Sequence, residues 1–241
     1  MRRIALRTRP LALFGAMLLI GLLLFLPMRL ALGLTGLGEQ GLVARRVSGN
    51  IWGATLSEAR FGDLALGDLS ARLSPLPLLI GEVRVPLAGP DSPGAAPVRA
   101  ALTLSRHALG VKDATGGFAT GRVFAPLPVT TLDLEDVTVR FRDGRCEAAE
   151  GRVRATLGAA AAGIALPPSI AGPARCDGGA LLLPLTSQAG TESIRLRVEG
   201  DGRYRAEFSI QPTDPLLGAR LEATGFVATP DGYRLSVEGR F

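Results

Sequence analysis

The sequence predicts a mainly β protein, with one N-terminal apolar helix followed by a meandering antiparallel sheet. Three observations carry this. Past residue 45, apolar residues recur with a period of two, and helical periodicity is scarce. Turn residues such as Gly62-Asp63, Gly200-Asp201-Gly202 and Thr229-Pro230-Asp231-Gly232 punctuate these segments roughly every 10–15 residues. A single long uncharged stretch, Leu11 to Met28, opens the chain behind Arg2, Arg3, Arg7 and Arg9.

The opening stretch has the length of a membrane span, which takes about 20 apolar residues. Arg29 ends the run and Leu30 to Leu34 prolongs it weakly. Basic residues ahead of the span and few behind it hold the N-terminus in the cytoplasm. The expected organisation is a basic cytoplasmic N-terminus (1–10), a transmembrane helix (11–34) and a periplasmic β-rich domain (35–241). The chain would then be a single-pass protein of the cell inner membrane, with most of its length in the periplasm. A cleaved signal peptide is the competing reading, with Ala31-Leu32-Gly33 as a small-residue site. The apolar run exceeds the usual ~7–15 residues of such a peptide. Either way the body is exported.

In the body, Ala54 to Phe61 and Leu64 to Leu73 read as paired strands. Leu64 and Leu66 lie on one parity, and Leu69, Ala71 and Leu73 on the other, as a β-bulge at Gly67-Asp68 would produce. Pro75-Leu76-Pro77 and Leu78-Leu79-Ile80 form an apolar corner or a single helical turn. Strand alternation returns at Val83 to Leu87, Val98 to Leu104 and Leu132 to Phe141, where a second parity shift falls at Glu135-Asp136. It continues through Val153 to Leu157, Leu181 to Leu185, Ile194 to Val198 and Tyr204 to Ile210, and ends in a hairpin whose arms are Leu221 to Val227 and Tyr233 to Val237. Residues 89–97 read as a loop, and the Ala-, Gly- and Pro-rich residues 158–174 as a loop or short helix.

The net charge of +5 is carried by arginines scattered singly along strands, as at Arg195, Arg197, Arg203 and Arg205. With no basic run interleaved with aromatics, nucleic acid is not an expected partner. Cys146 and Cys176 are the only cysteines. In an exported chain they are expected to pair, closing a loop of about 30 residues and contributing on the order of 3 kcal/mol; two unpaired thiols are the alternative. With His107 the only histidine, these cysteines do not make a tetrahedral metal set. His107 reads as a turn residue, Trp52 as a core anchor, and Asp133, Glu135 and Asp136 as a solvated strand face rather than a hydrolytic pair. No cofactor and no catalytic role are expected.

The segment Gly49-Asn50-Ile51-Trp52-Gly53, then Leu64-Ala65-Leu66-Gly67-Asp68-Leu69, then the corner Pro77-Leu78-Leu79-Ile80-Gly81, resembles the start of the periplasmic part of the type II secretion system protein N (GspN) family. Asp143-Gly144-Arg145-Cys146, Gly172-Pro173-Ala174-Arg175-Cys176 and Asp201-Gly202-Arg203-Tyr204 agree in order and spacing. The family's strand repeat is similar to that of AsmA-like proteins. The resemblance therefore implies a curved, open antiparallel sheet of half-barrel or meander form. It also implies an accessory, non-catalytic role in type II protein secretion, with the inner membrane and other secretion components as partners. Gly49, Ile51, Trp52, Gly53, Leu64, Leu66, Gly67 and Leu69 carry the family motif. Two further readings stand beside it: envelope lipid handling, with acyl chains on an apolar concave face, and a small outer-membrane β-barrel. An aromatic content of 5% is low for the two interface girdles of such a barrel.

Overall fold

Alternating apolar and polar side chains give each strand one face for the core and one for water, and short turns lay successive strands side by side. The computed structural model describes residues 10–25, 42–61, 64–78, 80–90, 97–158, 160–161, 164–212 and 217–240. A helix, Pro10–Phe25, begins with proline at its first position, where the missing N–H costs nothing. It is 16 residues long. Among the described residues no helix is long and apolar enough to cross a membrane. The expected continuation to Leu34, and the arginines at positions 2, 3, 7 and 9, lie outside the described residues.

The strands that follow are β1 (Leu42–Val43), β2 (Arg46–Asn50), β3 (Gly53–Phe61), β4 (Leu64–Ala71), β5 (Val83–Ala88), β6 (Arg99–Leu104), β7 (Ala108–Ala119), β8 (Val129–Arg142) and β9 (Arg145–Leu157). Next come β10 (Ala160–Ala161), β11 (Ile164–Ala165), β12 (Ser169–Pro173), β13 (Arg175–Asp177), β14 (Ala180–Thr186), β15 (Glu192–Val198), β16 (Arg203–Ile210), β17 (Val227–Thr229) and β18 (Gly232–Arg240). Among the described residues, a 16-stranded antiparallel sheet runs β1-β3-β4-β5-β6-β7-β8-β9-β12-β14-β15-β16-β18-β17, with β2 on β3 and β13 on β14; β10 and β11 form a separate pair. The path does not return on itself, so the sheet is open, as the meander reading expects.

Register places the apolar residues on one face. Val83, Leu104, Leu109 and Phe141 form one cross-strand row, and Val85, Leu102, Val111, Val139 and Ala149 another. The face continues through Leu183, Leu196, Ala206 and Val237, and through Leu185, Ile194, Phe208 and Leu235. From β9 onward chain segments cover it. The loop from Thr120 to Pro128 buries Phe124 and Leu127, and the Tyr204 hydroxyl donates to the Val123 carbonyl. Phe124 meets the Tyr204 ring edge-on at 5.5 Å between centroids, and Phe226 meets Phe208 at 5.9 Å. The helix Gly218–Ala223 seats a fully buried Leu221 beside them. Five strand steps separate β8 from β16, about 24 Å in a flat sheet, so the sheet curls toward its apolar face. A smaller core of Leu56, Ala59, Leu69 and Ala71 lies under β3 and β4.

The bulges sit where the parity shifts place them. Register slips between Leu56 and Ala59 opposite Gly67, with Glu58 at φ +50° and Gly67 at φ +73°. It slips again between Glu135 and Thr138, with Asp136 at φ +50° opposite Gly151 at φ +102°. The corner is a helical turn, Pro75–Leu78. Three expectations are corrected. The segment 158–174 contains strands, including β12, which pairs with β9 through Ser169–Thr156 to Pro173–Arg152. The arm expected over Leu221 to Val227 is mostly the helix Gly218–Ala223, and only Val227–Thr229 pairs with β18. Trp52 is half-buried in the turn between β2 and β3 rather than enclosed in the core.

Candidate interaction surface

The motif residues form a built hairpin. Asn50 Oδ1 accepts from the Gly53 N–H at 3.1 Å, closing the turn around Ile51 and Trp52. The Leu73 N–H donates to the Ile51 carbonyl, tying the turn to the strand beside it. Gly49 has φ +97°, and a Cβ there would collide with the backbone of Gly53 and Ala54. Gly53 has open space around its Cα. At the bulge, Glu58 N–H donates to Asp68 Oδ1 at 2.8 Å. Leu69 is buried, Leu66 half-buried, and the Leu64 side chain lies outside the described residues. The motif thus shapes backbone and a small core.

Cys146 and Cys176 are bonded, with 5.5 Å between Cα atoms. The bond joins β9 to β13 just past the point where the β9–β12 ladder ends at Pro173–Arg152. Nearby turns converge on it. The Cys146 N–H donates to the Gly179 carbonyl at 2.7 Å, and Gly200 lies so close to Gly144 that a Cβ would strike its backbone. His107 sits in the β6–β7 turn, exposed, with Nδ1 3.3 Å from Asp143 Oδ1. Glu135 faces Arg154 across the strands at 3.5 Å and is half-exposed. Asp133, Glu135 and Asp136 therefore belong to a solvated strand face.

That polar face carries the scattered arginines. Glu147 sits between Arg140 and Arg142 at 3.1 and 3.2 Å, Asp177 pairs with Arg197 at 2.9 Å, Asp201 with Arg203 at 2.7 Å, and Glu238 with Arg205. Exposed pairs of this kind contribute little each, about 0–1 kcal/mol. The Arg203 backbone N–H, helped by the nearby Arg203 and Arg240 guanidinium groups, holds the Asp201 carboxyl below its ordinary range against the opposing effect of desolvation. Burial pushes the Tyr204 phenol above its ordinary value. Among the described residues, no three His, Cys, Asp or Glu gather as a metal site would require.

The two sheet edges differ. At the β3 edge, β1 and β2 are short and interrupted at Ala44-Arg45, with Gly49 in the left-handed region and Arg45 paired to Glu58 at 2.7 Å. At the other end β18 pairs with β16 from Tyr233 to Arg240, while β17 covers it only from Gly232 to Arg234. The segment Leu235 to Arg240 presents its far side without a strand opposite, among the described residues. Sequence alternation identified β18 as a strand; nothing in it marked the early end of β17.

Residues 40–236 match the family described as type II secretion system (T2SS), protein N. The chain belongs to that family. The protein N match begins just ahead of β1 and ends at Ser236, so it takes in every strand of the sheet, β18 as far as Ser236. No curated protein and no solved structure matches the chain.

Proposed function

We propose that the chain is an accessory, non-catalytic component of the type II secretion apparatus. Its N-terminal apolar segment tethers it to the inner membrane, and its periplasmic β-domain contacts other secretion components. The observation that carries this reading is the coincidence of the protein N match, residues 40–236, with one open sheet whose β18 edge is uncovered among the described residues. The helix Pro10–Phe25 supports the tether: it carries no charged residue, and its side chains at Leu13, Phe14, Met17 and Leu18 are exposed. An apolar helix with no polar face is a core helix or a membrane element.

A second reading, AsmA-like lipid handling, rests on the uncovered part of the apolar face. Leu102, Leu104 and Leu109 are 38%, 50% and 50% exposed there. The curl toward that face accords with a half-barrel, and an acyl chain would fit its aliphatic lining.

Detergent extraction of the tagged protein from native membranes, with mass spectrometry of what co-purifies and of the N-terminus, tests both. Inner-membrane and pseudopilus components with an intact N-terminus are expected. Phospholipid without secretion components would favour the second reading. A processed N-terminus would remove the tether.

A further inference from the structure

The free side of β18 deepens the proposed role by indicating what the domain binds. The β17–β18 connection is a two-residue turn, Pro230-Asp231, so Thr229 and Gly232 form the hydrogen-bonded pair that closes it. Along an antiparallel strand, alternate residues point N–H and C=O to opposite neighbours. Tyr233, Leu235, Val237 and Gly239 therefore bond to β16, while Gly232, Arg234, Ser236, Glu238 and Arg240 point the other way. β17 meets that side only as far as Arg234. Among the described residues, the backbone groups of Ser236, Glu238 and Arg240 then face no strand and form a free ladder in extended register. A ladder of this kind is complementary to another extended backbone and to little else.

Side chains narrow the choice. Leu235 and Val237 are half-buried on the apolar face, whereas Arg234, Ser236, Glu238 and Arg240 are exposed on the polar face. Glu238 is engaged by Arg205. Among the described residues Arg234 and Arg240 form no close ion pair, and Arg240 acts on Asp201 only from longer range. The complementary strand has apolar residues on one side and acidic residues on the other. Edges of this kind are usually blunted by proline, bulges or inward charges. The β1–β2 edge is blunted by short, interrupted strands, whereas β18 runs on from Leu235 to Arg240 past the end of its pairing with β17 and carries its charges on the polar face only.

We infer that residues Leu235–Arg240 of β18 are a docking edge for an extended segment of another secretion component, added as a strand with its apolar side chains toward Leu235 and Val237 and its acidic ones toward Arg234 and Arg240. This rests on the secretion reading above.

The test uses the full chain in detergent and overlapping synthetic peptides covering the exported parts of the host's other type II secretion components. A binding peptide is expected to show the alternating apolar and acidic pattern. It should slow amide exchange at Ser236, Glu238 and Arg240 by about tenfold or more, leaving Leu235 and Val237, already bonded to β16, unchanged. Ser236→Pro removes an N–H with no partner among the described residues, and edge strands tolerate this. It should fold with an unchanged melting temperature and bind at least ~10-fold more weakly, while Ser236→Ala binds normally. The inference is overturned if no peptide protects these amides, if Ser236→Pro binds as well as the parent, or if a second copy of the chain or lipid vesicles alone occupies the edge. Secretion components that co-purify equally with Ser236→Pro would sink the edge and leave the secretion role standing. None co-purifying with either protein would sink both.

Discussion

Replacing both Cys146 and Cys176 by Ala tests how much of this open sheet depends on a single covalent tie. The bond closes a loop with a sequence separation of 30. Loop-closure entropy then gives 2.1 + 1.5R ln 30, about 12 cal/mol/K, or about 3.6 kcal/mol at 25 °C. Packing loss adds little, since alanine keeps the Cβ atoms at a site where Cys146 is only 9% exposed. For a domain of this size each kcal/mol moves the melting temperature by about 2–4 °C, so the variant should melt about 7–14 °C lower. The loss should begin locally. Here β13 bonds to β14, and past Arg152–Pro173, the last rung of the β9–β12 ladder, only single backbone bonds such as Cys146 N–H to Gly179 back up the disulfide among the described residues. Thermal melts of oxidised parent, reduced parent and double variant, with amide exchange at residues 174–180, make the measurement. The reduced parent should behave as the double variant does. A fall under ~3 °C, or oxidised and reduced parent melting together, would refute the reasoning.

Two further predictions concern the interior and the motif. Tyr204→Phe removes the hydroxyl that satisfies the Val123 carbonyl and should cost about 1–2 kcal/mol in urea unfolding. Burial raises the Tyr204 phenol above its ordinary value of 10.0. The folded chain therefore holds that proton more tightly, and its stabilisation is complete below about pH 10 and falls as pH rises beyond it. Tyr204→Phe should flatten that alkaline decline, and an unchanged slope would assign it elsewhere. Gly49→Ala places a Cβ against Gly53 and Ala54 at a left-handed φ and should destabilise by about 1–3 kcal/mol. Gly53→Ala meets nothing and should be neutral or stabilising by up to ~1 kcal/mol. Amide exchange across β2 and β3 reads both, and equal effects would show that steric space does not explain the motif glycines.

What the sequence revealed follows from how local each signal is. The Gly200-Asp201-Gly202 hairpin and the bulges at Glu58–Gly67 and Asp136–Gly151 depend on residues within a few positions, so period-two alternation and its slips exposed them. The segment 158–174 was obscured because small residues and prolines say little about pairing, and β12 is held by its ladder to β9 rather than by its own propensity. Leu221, Ala223 and Val227 fall on one parity and so imitated a strand. The competing influence was tertiary: Leu221 is fully buried, and Phe226 packs on Phe208. Trp52 reads as a core anchor because an indole carries large apolar area, yet it stays half-buried in the turn between β2 and β3. The loop carrying Phe124 reaches Tyr204 across 80 positions of sequence. No local pattern encodes such a contact.

The same distribution of cover explains why an open sheet can be both stable and adhesive. Phe124 and Leu127 from one loop, and Leu221 and Phe226 from another segment, close the apolar face over β9 to β18. Most single surface changes on β18 should then leave the fold intact, because the outward backbone groups at Ser236, Glu238 and Arg240 contribute nothing to the interior ladder. An added strand would extend this covered core past Leu235 and Val237, which are only half-buried as the face stands. Apolar area and backbone bonds would then be gained together, the combination that makes strand addition specific as well as favourable. The uncovered rows at Leu102, Leu104 and Leu109 lie many strands away. A ligand there and a strand at β18 could therefore be held at once, and perturbing one need not disturb the other.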